Sequence, residues 1–182
     1  MFSELKFRIS NYMLRKDVLK SNHFPKLTEL SQAKHIALLF DAHNSKSIVE
    51  VKYLLKYFLK LNIDVAVLGF VNEKKYTSDH ISTLHINYFN LNDMSFLGFP
   101  KSIKTMSFLR KEYDFLINLS LDNSFPTKYL AFTAKTNYRI GVDTLDHMLN
   151  YDLMFKIKVK TLSYFIKNVI HYLELIDRNN EE

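Results

Sequence analysis

Five short, almost unbroken apolar runs constrain this chain more than anything else in it: His35–Asp41, Ile63–Phe70, Leu84–Phe89, Tyr113–Leu119 and Tyr138–Val142. A strand that is wet on one face alternates apolar with polar residues. These runs do not alternate cleanly, so each is expected to be covered on both faces, as in the interior of a parallel sheet. The intervening segments supply the covers. Ile48, Val51, Leu54, Leu55, Phe58 and Leu59 recur at helical spacing behind Asn44 and Ser45, either of which can cap the helix, and the opposite face is rich in lysine. Pro100 precedes a helix over "KSIKTMSFLRK" with Ile103, Met106 and Phe108 or Leu109 inward, and Ser124 caps a short helix with Pro126 in its first turn. The repetition of strand, helix and strand predicts an α/β fold: a Rossmann-like three-layer sandwich with a mostly parallel sheet of five or six strands, the first five in order 3-2-1-4-5.

A different pattern follows. Tyr151, Leu153, Phe155, Ile157 and Val159 alternate with Asp152, Met154, Lys156, Lys158 and Lys160, which predicts an edge strand whose lysines discourage edge-to-edge pairing. A long C-terminal helix then carries Leu162, Phe165, Ile166, Val169, Ile170, Leu173 and Ile176 on one stripe. The expected organisation is a basic amphipathic helix and connector over 1–34, an α/β domain over 35–177 and a charged tail over 178–182.

Composition bounds the chemistry. The chain has no cysteine, which excludes disulfides, thiolate metal sites and cysteine nucleophiles together. No stretch offers ~18 consecutive apolar residues for a membrane span, and the N-terminus has no apolar leader core. A cytoplasmic protein is the expectation. The net charge of +6 invites a polyanionic partner, although twenty lysines against five arginines, with fifteen asparagines, also fit the mutational bias of an AT-rich gene. Position separates these readings, because residues 1–34 hold seven basic and three acidic side chains and so two-thirds of the net charge. Phe2, Leu5, Ile9 and Met13 fall on one helical face, and Arg8 and Arg15 on another. Such a helix either packs on the domain with its charges in water or docks on a polyanion or a membrane surface. The residues expected to contact nucleic acid are Lys6, Arg8, Arg15, Lys16 and Lys20.

In a sheet of order 3-2-1-4-5 ligands bind outside the carboxyl ends of the strands, where the order reverses between the first and fourth. The loop after the first strand, "LFDAHNSKS", offers Asp41, His43, Asn44 and Ser45. The loop after the fourth, "NLSLDNSFPTK", offers Asn118, Ser120, Asp122, Asn123, Ser124 and Lys128, and Asp143 and His147 follow the fifth strand. Candidate ligand-binding residues are therefore Asp41, His43, Asn44, Ser45, Asp122, Asn123, Ser124 and Asp143. Asn, Ser and Asp are also the ordinary capping residues after strands. Neither G-x-G-x-x-G nor G-x-x-x-x-G-K-[ST] occurs, no metal-ligand spacing is present, and no serine sits in a G-x-S-x-G elbow, so no cofactor, metal or catalytic residue is expected.

"NYFNLNDMSFLGFPKS", "YDFLINLSLDNSFPTKYLAFTAKTNYRIGV", "YDLMFKI" and "IHYLELI" resemble a family of short bacterial proteins, of the Bacteroidota type, that share a domain of unknown function. The resemblance covers residues 35–176 and implies a Rossmann-like domain with no activity to carry over. Residues 113–142 are also similar to the N-terminal Rossmann-like domain of heptosyltransferase-type glycosyltransferases, which implies the same fold. The function expected from charge and missing motifs is a non-catalytic interaction module that binds RNA or a ribonucleoprotein, as a ribosome-associated accessory, through the basic helix. The alternative is a protein that binds a nucleotide or sugar phosphate, or a glycosyltransferase-like enzyme, using the switch-point loops.

Overall fold

A computed structural model describes residues 4–21, 23–122, 124–143 and 149–179. Six strands, β1 (His35–Asp41), β2 (Asp64–Val71), β3 (Ile86–Asn90), β4 (Glu112–Asn118), β5 (Lys135–Val142) and β6 (Leu153–Phe155), form one sheet in the order β3-β2-β1-β4-β5-β6. Every pairing is parallel, so the sheet is α/β and Rossmann-like as the apolar runs predict. The order reverses between β1 and β4, whose registers align Leu38 with Ile117 and Leu39 with Asn118.

The period-two pattern of side chains divides the core between the two faces. Ile36, Leu38 and Phe40 of β1 pack with Val51, Leu54 and Phe58 of α2 (Ser45–Lys60) and with Phe165, Val169 and Leu173 of α5 (Leu162–Asn179). Ala37 and Leu39 point the other way. They pack with Leu14 of α1 (Glu4–Lys20), Phe108 of α3 (Ile103–Arg110) and Leu130, Ala131 and Phe132 of α4 (Phe125–Thr133). Two glycines let rings cross the sheet closely. A Cβ at Gly69 would lie 2.7 Å from the Phe40 ring, and one at Gly141 would lie 2.6 Å from the Tyr151 ring.

The open choice on α1 is resolved, and the expectations for α3 and β6 are corrected. On α1 the residues turned into the body are Ser10, Asn11 and Leu14, while Leu5, Ile9 and Met13 face solvent. Polar partners decide this: Ser10 Oγ donates to the Leu97 carbonyl (2.6 Å), and Asn11 Oδ1 accepts from Lys128 Nζ (3.2 Å). On α3 the inward residues are Thr105 and Phe108, and Ile103 is 86 % exposed. The ladder of β6 ends at Phe155, although partial burial continues to alternate as far as Ile157; Val159 is exposed and Lys160 lies in a loop.

The outer edge at β3 is closed by its own chain. The Ile86 carbonyl accepts from Thr83 N–H, the Tyr88 carbonyl accepts from Tyr76 Oη and Lys104 Nζ, and the Asn90 N–H donates to Asp93. Such an edge offers little to an incoming strand. Among the described residues no helix is long and apolar enough to cross a membrane.

Candidate functional site

The carboxyl ends of β1 and β4 open into a crevice of about 250 Å³. Its walls come from the β1–α2 loop and first two turns of α2 (Asp41, His43, Lys46, Glu50), the β4–α4 loop (Ser120, Asp122) and the start of α5. The switch-point rule thus places the cavity where the strand order predicts it.

Asp41 is its central feature. It ends a strand whose other residues beyond His35 are apolar, and it is only 8 % exposed. Both carboxylate oxygens are buried, and neither accepts a hydrogen bond from the described residues. Burial pushes its carboxyl above the usual range and the nearby Asp122 charge adds to this, while the Ser120 and Ser124 hydroxyls and His43 act in the opposite direction. The Ser120 hydroxyl donates its proton to Thr127 Oγ1 (2.9 Å) rather than to the carboxylate. Ser124 occupies the residue before α4 but makes no side-chain capping bond, which corrects its expected role as a cap. A buried acceptor without a donor costs about 1–3 kcal/mol.

The remaining candidates divide into those that build the crevice wall and those that merely stand in it. Asn44 caps α2, its Oδ1 accepting from Ser47 N–H (2.9 Å). Ser45 donates to Asp79 (2.6 Å), and His80 Nε2 lies 3.1 Å from the Ala42 carbonyl, so the β2–β3 connection braces the β1 loop from outside. His43 is exposed at the mouth, and Asp122 forms an exposed ion pair with Lys160 (2.8 Å). Asp143 does not line the crevice; its backbone N–H extends the β5–β6 ladder by donating to the Phe155 carbonyl. Asn123 and His147 lie outside the described residues. Sequence reasoning missed Glu50 and the crevice role of Lys160. Glu50 sits six residues past the cap, toward the second turn of α2, and could have been found from helix geometry. Lys160 was concealed by the alternating pattern.

Behind the crevice, towards α1, the polar groups are joined. Asn118 Nδ2 donates to Tyr151 Oη (2.7 Å), and its Oδ1 accepts from Ser120 N–H (3.2 Å). Burial keeps the Tyr151 phenol protonated, pushing it up to about 12. Lys128, 5 % exposed, donates to Asn11 of α1. Among the described residues no group of three or more histidines and carboxylates is placed to hold a metal ion.

The basic residues of α1 are unequally available. Arg8 pairs with Glu4 (2.8 Å), Lys6 Nζ lies 3.4 Å from the centre of the Phe96 ring, and Arg15 is half-buried. Lys16 and Lys20 are exposed.

No curated protein and no solved structure matches this sequence. A family model does, over residues 6–176, and the chain belongs to that family, a family of unknown function, DUF6913. The match takes in α1 from Lys6 onward, together with the whole sheet.

Proposed function

We propose that this member of the DUF6913 family binds a small hydroxylated ligand, of the sugar-phosphate or nucleotide class, in the switch-point crevice. One observation carries the reading: the buried Asp41 carboxylate, whose two oxygens lack donors at the floor of a cavity of about 250 Å³. Two adjacent hydroxyls match a carboxylate in spacing and would supply both donors once the β1–α2 and β4–α4 loops part, because both oxygens are closed to water in the ligand-free chain. A phosphate on the same ligand would sit toward the first turn of α2 and Lys46, where the helix dipole favours negative charge. Glu50 and Asp122 at the mouth favour a ligand that turns hydroxyls toward them. The reading assigns binding and no reaction. Its test is a thermal-shift panel of pentose and hexose phosphates and nucleotides. At a hundred times Kd a ligand adds about 2.7 kcal/mol to stability, a readily measured rise in Tm. A panel silent at millimolar concentrations would contradict it.

The charge distribution supports a second reading, a module that docks on RNA or a ribonucleoprotein through α1. Lys16 and Lys20, exposed on the outward face, would carry it, with Lys6, Arg8 and Arg15 contributing after release from their present contacts. Binding would then weaken steeply as salt rises.

A further inference from the structure

We infer that the outward face of α1 is a docking surface for an anionic membrane, a role independent of the crevice. With Ser10, Asn11 and Leu14 turned into the body, helical periodicity gathers Leu5, Ile9, Tyr12, Met13 and Leu19 on the opposite side. Their exposures are 68, 40, 67, 40 and 74 %. Lys16 and Lys20 lie among them, and both are exposed. The helix has 17 residues, a length of roughly 25 Å, so this is a continuous strip over more than four turns.

Charge complementarity selects the occupant. Five cations, Lys6, Arg8, Arg15, Lys16 and Lys20, stand against Glu4 and Asp17 on this one helix. A second copy of the chain would bring the same positive strip, and like charges would oppose the contact. A nucleic-acid backbone would engage the lysines and leave Leu5, Ile9 and Met13 in water. An anionic leaflet accommodates both kinds of residue, because apolar side chains enter the acyl boundary while lysines remain among the headgroups. The inward anchors Ser10 and Asn11 also explain how α1 stays on the body without its apolar stripe.

The test is co-flotation of the full chain with phosphatidylcholine vesicles, with and without phosphatidylglycerol, beside binding to poly(U). Flotation is expected only with phosphatidylglycerol, reduced about fivefold for each of Lys16→Ala and Lys20→Ala and abolished by Leu5→Glu combined with Ile9→Glu. Because these side chains are exposed, the melting curves of all variants should overlay that of the natural chain. The sequence has no tryptophan, so Tyr12→Trp adds a single reporter whose emission should shift to the blue on anionic vesicles. Absence of flotation with phosphatidylglycerol, flotation that survives the paired glutamates, or an unmoved indole emission would each overturn the inference. So would poly(U) binding that is lost with the lysines and kept with the glutamates, accompanied by no flotation, which would assign the face to nucleic acid.

Discussion

Two neighbouring groups of polar side chains at the carboxyl end of the sheet differ in one respect. Towards α1, Asn118, Ser120, Thr127, Lys128, Tyr151 and Asn11 are tied to one another or to backbone. Asp41, on the adjoining strand, is buried to nearly the same extent as these and its carboxylate has no donor. The first group behaves as structure: its bonds fix the β4 loop and seat α1. The second withholds a bond that folding alone would favour, and a ligand can complete it. The comparison therefore separates scaffold from site by satisfaction of hydrogen bonds, whereas residue type would have grouped them together.

The largest expected effect breaks the satisfied side. Asn118→Leu removes both the donor to Tyr151 Oη and the acceptor for Ser120 N–H, and should cost about 2–5 kcal/mol in chemical denaturation. A cost below the unfolding error would mean that these bonds do not hold the rim together. Next comes Asn11→Ala, which takes the oxygen from a buried ammonium and should cost about 1.5–3 kcal/mol, with earlier proteolysis of α1.

On the orphan side the sign reverses. Asp41→Asn should stabilise the ligand-free protein by about 1–2 kcal/mol at neutral pH, since it removes the cost of burying a carboxyl that the unfolded chain holds ionised in water. The gain depends on pH. With the folded pKa raised above the ordinary value of 3.8, the native state keeps a proton that the unfolded chain has lost. Stability contributed by Asp41 is thus complete below 3.8 and falls as pH rises through the folded pKa. The two chains should therefore converge in stability at the acid end and separate above it; a difference that is constant with pH would show that ionisation is not its source. The smallest effect is expected on the outward face of α1, where Leu5→Ser and Ile9→Ser should change stability by less than about 0.5 kcal/mol each. A larger loss in thermal unfolding would place those residues in a contact with the body.

Much of this was legible from the sequence. Continuous apolar runs located β1, β2, β4 and β5, because a strand buried on both sheet faces must be apolar throughout. Strand order alone puts Asp41, His43 and Asp122 at one crevice. The helices were less legible where packing depended on polar partners or few turns. On α1 hydrophobic spacing left both a packed and an outward stripe open, and the choice came from Ser10 and Asn11, which dock through hydrogen bonds to Leu97 and Lys128, residues distant in sequence. On α3, with only eight residues, the sets Ile103/Met106 and Thr105/Phe108 both have helical spacing, and the β2–β3 surface chose the second. The third strand begins at Ile86 because the 90 % exposed Leu84 lies outside the ladder. Lys160 reached the crevice because pairing in β6 stopped at Phe155 while the apolar alternation ran on. The absence of a donor to Asp41 could not be read from sequence at all, since serines follow in the facing loop and only the fold turns the Ser120 hydroxyl to Thr127 instead.

The role of Asp41 as the floor of a ligand site is tested most directly by amide chemical-shift mapping. With a sugar phosphate or nucleotide that raises Tm, the shifts should concentrate at residues 41–47, 119–122 and 160–162 and disappear in Asp41→Asn. Shifts centred away from these loops, or a crevice pattern unchanged by Asp41→Asn, would contradict it.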